Sequence, residues 1–78
     1  MAMDAVEIER LIKAHIPDAE VTIRDLAGDG DHYAATVISA AFAGKSKIQQ
    51  HQMVYGALGG RMGGVLHALK LTTMAQRP

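Results

Sequence analysis

The sequence of 78 residues contains no cysteine, and this absence removes several kinds of chemistry at once. Disulfides, zinc fingers, thiol catalysis and an iron–sulfur cluster held only by the chain's own thiolates are all excluded. A small domain without a disulfide framework is typical of an intracellular protein rather than a secreted one. We therefore expect a location in the bacterial cytoplasm or in an organelle matrix.

An excess of charge of one sign and long apolar runs are also missing. Eight basic residues balance eight acidic residues, so no strongly basic field favours avid non-specific binding to nucleic acid, although a local basic patch is still compatible with this balance. No apolar run approaches the roughly 18 residues that a membrane span needs. The N-terminus lacks the basic and then apolar pattern of a secretory signal. We expect one soluble domain over residues 1–78, no membrane partner and a disordered tail at about 74–78.

The periodicity of apolar residues predicts three strands and two main helices. Pro17 disfavours helix at the residue before it, so the first helix is expected to end near His15. The two short strands that follow should form an antiparallel hairpin. In chain order we predict a helix from an Asp4 cap to about residue 15, strands at 20–26 and 33–39, a helix from a Ser46 cap to the glycines at 59–64, a single turn there, and a strand at 66–72. Helices on one face of a three-stranded sheet make a two-layer α+β domain.

The same patterns predict which side chains face the core. The second strand should direct Tyr33, Ala35 and Val37 inward, and Phe42 should anchor the turn after it. On the second helix, the predicted apolar stripe consists of Ile48, Val54, Tyr55 and Leu58, with Gln49, Gln50 and Gln52 outside it.

These residues, taken together, resemble the BolA family. The matching stretches are GDGDHY at 28–33, VIS at 37–39, FAGK at 42–45, QHQMVY at 50–55, AL at 57–58 and LHAL at 66–69. Their order and spacing are specific, and they cover roughly residues 20–72. The resemblance implies an αββααβ arrangement like the class II KH fold. The chain departs from the family in lacking the common Thr-Pro-x-x-Trp tail and in having more glycine at 59–64.

The resemblance also implies a function and a set of ligands. BolA proteins act in iron–sulfur cluster trafficking or iron sensing, and share a [2Fe–2S] cluster with a monothiol glutaredoxin. His67 stands where the family has a cluster ligand, although in an arbitrary protein it would be interpreted as a polar strand-edge or core residue. The second family ligand comes from the loop between the first two strands, where His32 is the better candidate and Asp29 is the harder, less typical alternative.

A neutral imidazole can ligate iron in place of a thiolate. The partner's cysteine and glutathione would supply the thiolates, so the chain alone, as a monomer or weak homodimer, is expected to hold no cluster. His51 matches a family motif and shares a helix face with Tyr55, four residues on. We interpret His51 as structural or as part of a partner surface.

A nucleic-acid-binding regulator is the alternative function. The stretch from Gly60 to Gly63 spells GxxG, which in KH domains clamps nucleic acid, and Lys45, Lys47 and Arg61 would form a basic rim around it. Some BolA proteins are DNA-binding transcription regulators linked to stress response. No nucleophile–base pair, phosphate loop or paired carboxylates can be identified in the sequence, so we do not expect an enzyme.

Overall fold

A computed structural model describes residues 5–26, 32–59 and 68–77. Its elements, in chain order, are helix α1 (Ala5–His15), strand β1 (Glu20–Asp25), strand β2 (His32–Ile38), a short 3-10 helix (Ala40–Phe42), helix α2 (Lys47–Leu58) and strand β3 (Ala68–Met74). This order confirms the predicted α+β arrangement. The Asp4 cap, the single turn at Arg61 and Met62, and the predicted first residues of the last strand lie outside the described residues.

The three strands form one mixed sheet in the order β1-β2-β3. Strands β1 and β2 are antiparallel, with Val21 opposite Val37, which confirms the predicted hairpin pairing. Strands β2 and β3 are parallel, with Tyr33 opposite Leu69. The long connection through α2 allows this parallel pairing, because parallel strands need a crossover of a dozen or more residues.

The core lies between one face of the sheet and the two helices. Tyr33, Ala35 and Val37 are all buried, as the alternation predicted. Phe42 is fully buried and packs in the same apolar cluster. Side chains from α1, from the connection between α1 and β1, and from α2 complete the cluster, namely Ile8, Ile12, Ile16, Ala19, Val54 and Leu58. Within the described residues, neither helix has the length and apolar character needed to cross a bilayer.

Both ends of α2 are set by residues that the sequence marks. Ser46 is the N-cap: its Oγ accepts from the N–H of Gln49, and its own N–H donates to the side chain of Gln49. This capping box satisfies two donors that a helix start leaves open. Gly59 is the C-cap, with a φ of 65°, a backbone conformation that favours glycine.

The predicted apolar stripe of α2 is wrong at two positions, Ile48 and Gln50. Ile48 is 71% exposed, whereas Gln50 is only 7% exposed. The buried stripe consists of Gln50, Val54 and Leu58. Gln50 can be buried there because both the nitrogen and the oxygen of its amide group form hydrogen bonds. Its Nε2 donates to the carbonyls of Phe42, at 3.2 Å, and Lys45, at 2.9 Å.

The prediction also ended the last strand too early. Strand β3 continues through Met74, whose carbonyl accepts from the N–H of Ser39 at 3.0 Å. Beyond the strand, the guanidinium of Arg77 donates to the carboxylate of Glu20, with Nε and Oε2 3.1 Å apart. Met74 and Arg77, which lie within the tail predicted at about 74–78, therefore each make a contact with the sheet. The strand propensity of Thr72 and Thr73 was the available signal.

Candidate functional site

One predicted metal ligand, His32, lies at the end of the sheet where β2 and β3 begin. His32 is the first residue of β2, and its Cα partner across the parallel ladder is Ala68, the first residue of β3. His67 precedes Ala68 in the sequence and lies outside the described residues, as does Asp29. The structure thus places the backbone of one predicted ligand, and it places that backbone beside the residue that follows the other.

The described residues contain no ready-made metal centre. Across residues 5–26, 32–59 and 68–77, no group of three or more histidine, aspartate or glutamate side chains is arranged to hold a metal ion.

The three residues of the predicted basic rim have different surroundings, and one of them is not described. Lys45 is exposed, and its carbonyl accepts from Gln50. Lys47 directs its ammonium group at the carbonyl of Thr73, to which it donates a hydrogen bond. Arg61 lies outside the described residues. Lys45 and Lys47 are both exposed, but only the ammonium of Lys47 makes a hydrogen bond to β3.

His51 lies on α2 as predicted, on the same helix face as Tyr55. The two ring centroids are 6.3 Å apart, with an angle of 74° between the ring planes. This edge-to-face arrangement is a favoured geometry for ring pairs. Both side chains are half-buried, so the pair offers a partly accessible surface on α2.

One polar cluster was not predicted from the sequence. The Ser39 hydroxyl donates to Oδ1 of Asp18 at 2.6 Å, and the N–H of Ala40 donates to Oδ2 at 3.0 Å. The hydrogen bond from Ser39, followed by that from Ala40, holds the pKa of the Asp18 carboxyl below its ordinary value. The carboxylate thereby fixes the entry to the 3-10 helix. No local pattern signals this contact, because Asp18 and Ser39 are 21 positions apart in the sequence.

A second carboxylate has a pKa that is lowered for a different reason. Glu20 accepts hydrogen bonds from the guanidinium of Arg77, and this contact lowers the pKa of Glu20 below its ordinary value. Both partners are exposed, so water screens the pair and its contribution to stability is small. We interpret this pair as a structural contact between Glu20, at the start of β1, and Arg77, after β3, rather than as a reactive site.

Comparison with known proteins identifies the relatives of this fold. A family model described as BolA-like protein matches residues 2–77. RP812, an uncharacterized protein of Rickettsia prowazekii, is 39% identical over 75 residues, which cover 96% of this chain and 97% of RP812. The NMR structure of RP812, described as a BolA-like hypothetical protein, superposes with a TM-score of 0.77 at 38% identity, covering 99% of this chain and 100% of that one. A bolA protein homologue from Coxiella burnetii has a TM-score of 0.75 at 32% identity, over 92% of this chain and 90% of that one.

Proposed function

This chain belongs to the BolA-like family, and on that premise we propose that it is an adaptor that shares a [2Fe–2S] cluster with a monothiol glutaredoxin. The observation that supports the proposal is the parallel pairing of β2 with β3. It places His32 opposite Ala68, the residue that follows His67 in the sequence.

The pairing of β2 with β3 brings His32 close to the residue that follows His67. Neighbouring strands are about 4.8 Å apart, so the backbone of His32 lies about that far from the backbone of Ala68. His67 is bonded directly to Ala68. We take this proximity as support for two ligands of one small cluster.

The donor set fits a shared cluster better than one held by this chain alone. The sequence has no cysteine, and a [2Fe–2S] cluster usually takes thiolates, with imidazole able to replace some of them. His67 and His32 would supply nitrogen ligands, with Asp29 as the alternative to His32. The glutaredoxin cysteine and glutathione would supply sulfur. In this proposal the cluster is bound jointly by the two proteins and is transferred onward rather than kept as a permanent cofactor of this chain.

The decisive experiment mixes the chain with a cluster-loaded monothiol glutaredoxin and glutathione, and follows visible absorption and circular dichroism. We expect the wild-type chain to change the spectrum and His67→Ala to abolish that change. His32→Ala should weaken it, whereas Asp29→Ala should do so only if the aspartate is the second ligand. His15→Ala is the matched control, because His15 is exposed at the end of α1. A spectrum that wild type leaves unchanged, or that His67→Ala changes equally, contradicts the proposal.

Protonation gives an independent test of imidazole ligation. An imidazole must be neutral to bind iron, and its ordinary pKa is about 6.5. Cluster sharing should therefore be complete above that pH and should weaken as the pH falls through it. The measurement is the same dichroic signal recorded at constant ionic strength from about pH 8 to pH 5.5. A signal that does not respond over this range argues against histidine as a ligand.

Partner binding without a cluster tests the surface that contains His51. Titration of the cluster-free glutaredoxin into the labelled chain should shift the resonances of His51 and Tyr55 if this face contacts the partner. His51→Ala should then weaken the complex without altering the spectrum of the cluster that is still bound. Unperturbed resonances would leave His51 as a structural residue of α2.

The alternative, a DNA- or RNA-binding regulator of stress-response transcription, has a narrower basis in the described residues. Both lysines are exposed, but the ammonium of Lys47 already donates a hydrogen bond to the carbonyl of Thr73, which leaves Lys45 as the cation without such a contact at this point of the rim. This alternative predicts salt-dependent binding that falls on Lys45→Ala and on Arg61→Ala. An absence of binding at low salt would remove it. Location in the cytoplasm or an organelle matrix stays a prediction, as does the absence of enzymatic activity.

A further inference from the structure

The two edges of the sheet differ in how they are protected. Strand order leaves β1 and β3 at the edges. Strand β1 has three charged and exposed residues among its six, namely Glu20, Arg24 and Asp25. Charged side chains on an edge strand discourage other strands from pairing with it. Strand β3 has only Lys70 as a charged residue among its seven, so its edge is the more open to strand addition.

Two hydrogen bonds show which backbone groups of β3 face away from β2. The carbonyl of Met74 accepts from Ser39, directly after β2, and so faces the sheet. The carbonyl of Thr73 accepts from Lys47 instead, and so faces outward. Backbone groups alternate in direction along a strand, so the N–H and C=O groups of Leu69 and Leu71 also face outward. Among the residues that the structure describes, no hydrogen-bond partner lies at these outward groups.

The side chains around this open stretch define what could bind to it. Leu69 and Leu71 are half-buried and pack against the core, so part of each remains accessible on the helix side of the sheet. Lys70 is exposed on the opposite face. At the far end of the stretch, the ammonium of Lys47 covers the carbonyl of Thr73. The open edge is thus short and apolar on the helix side. Lys70 lies on its other face, and Lys47 lies at its far end.

We propose that the edge of β3 at Leu69–Leu71 is a docking site for an extended, acidic segment of a partner protein, which adds to the sheet as a fourth strand. Main-chain hydrogen bonds to an open edge give such complexes their affinity, and alternate side chains give them specificity. An aliphatic side chain of the partner would pack beside Leu69 and Leu71. An acidic side chain next along the segment would face Lys70. This proposal does not depend on the shared cluster.

A second copy of the chain fits this edge less well. Antiparallel pairing of Leu69 with Leu71 of another copy sets the two Lys70 side chains directly opposite each other, and like charges at that position are destabilising. A register shifted toward the end of the strand needs the carbonyl of Thr73, which Lys47 already occupies. Charge therefore favours an acidic partner over self-association.

The test uses the full chain labelled with ¹⁵N and two synthetic peptides as probes. One peptide alternates valine with glutamate over eight positions, and the other has lysine in place of each glutamate. We expect the glutamate peptide to shift the amide resonances of Leu69 and Leu71 and to slow their hydrogen exchange. The amides of Lys70 and Thr72 face β2 and should change much less. The lysine peptide should bind several-fold more weakly.

Charge reversal gives the matched comparison. Lys70→Glu should reverse the preference between the two peptides. Arg24→Glu should not, although Arg24 is an exposed cation on the same outer face, separated from Lys70 by Ala34. The proposal is overturned if Leu69 and Leu71 show no response, or if both peptides bind equally. Resonances of these two amides that depend on protein concentration without peptide would identify a second copy as the occupant and overturn it too.

Discussion

The hydroxyl of Thr73 donates a 2.6 Å hydrogen bond to Oε1 of Gln50, and so joins the end of β3 to α2. Thr73 is 1% exposed and Gln50 is 7% exposed. The amide nitrogen of Gln50 meanwhile donates to the carbonyls of Phe42 and Lys45. One buried amide thus connects the last strand, the 3-10 helix and the loop before α2. In the described part of the chain, every buried side-chain nitrogen or oxygen has a partner.

Thr73→Val should destabilise the fold. The valine is similar in shape but leaves Oε1 of Gln50 buried without a donor, which costs about 1–3 kcal/mol. The measurement is the free energy of unfolding from urea titration followed by far-ultraviolet circular dichroism. Thr72→Val is the matched control, because Thr72 is exposed on the neighbouring position, and its effect should stay within about 0.5 kcal/mol. Equal effects of the two substitutions would show that the hydrogen bond to Gln50 contributes nothing measurable.

Stability should depend on the protonation of Asp18. Its pKa is below the ordinary value of 3.8, mainly because the Ser39 hydroxyl donates to it, as does Ala40 N–H. A lowered pKa in the folded state means that the carboxylate stabilises the fold above the unfolded pKa, and that this contribution is lost as the pH falls through the folded pKa. The stability advantage of wild type over Asp18→Asn should therefore be constant near neutral pH and shrink once the pH falls below that ordinary value.

Urea unfolding of both proteins from neutral to strongly acidic pH checks this expectation. Glu20 also has a lowered pKa, because of Arg77, but it is present in both proteins and cancels from the difference. Ser39→Ala is a further comparison: without its hydroxyl donor, the carboxyl of Asp18 should titrate closer to its ordinary value. A difference between wild type and Asp18→Asn that is the same at every pH would contradict the assignment.

The parts of the fold that the sequence predicted are those that depend on local periodicity and local caps. Alternation in β2 identified the buried face that contains Tyr33 and Val37, and the serine and glycine of α2 marked its ends. Prediction failed where a tertiary contact overrode the apolar pattern. Ile48 is exposed and Gln50 is buried, because the amide of Gln50 donates to the carbonyl of Phe42 and accepts from the hydroxyl of Thr73. No periodicity in α2 contains that information.

The candidate site was predicted through family resemblance rather than through periodicity. His32 and His67 are 35 positions apart in the sequence, and nothing local indicates that these two parts of the chain are neighbours. The parallel pairing of His32 with Ala68 brings these two parts of the chain together, and pairing between distant strands is a property of the whole fold. The contact between Lys47 and Thr73 was missed for the same reason, since it joins two elements 26 residues apart.

Two glycines of α2 should respond in opposite directions to the same substitution. An added methyl group meets no atom within 4 Å at either Gly56 or Gly59, so only the backbone distinguishes them. Gly56 is inside the helix, where alanine is favoured by up to about 1 kcal/mol. Gly59 has a φ of 65° and a ψ of −143°, a conformation that costs other residues about 1–3 kcal/mol. Thermal unfolding should therefore show a higher midpoint for Gly56→Ala and a lower one for Gly59→Ala. A stabilising Gly59→Ala would contradict the positive-φ conformation of this C-cap.

Lys47 and Lys45 should differ in what they do for the fold, although they are two residues apart. The ammonium of Lys47 donates to the outward-facing carbonyl of Thr73, whereas Lys45 is exposed and its side chain makes no described hydrogen bond. Lys47→Met keeps the aliphatic length and removes the donor, and should lower the free energy of unfolding by about 1 kcal/mol. Lys45→Met should change it by less than about 0.5 kcal/mol. Urea titration of both variants under identical conditions gives the comparison. If Lys47→Met is as stable as Lys45→Met while only Lys47→Met weakens binding to a DNA duplex, then the ammonium serves nucleic acid rather than the edge of β3.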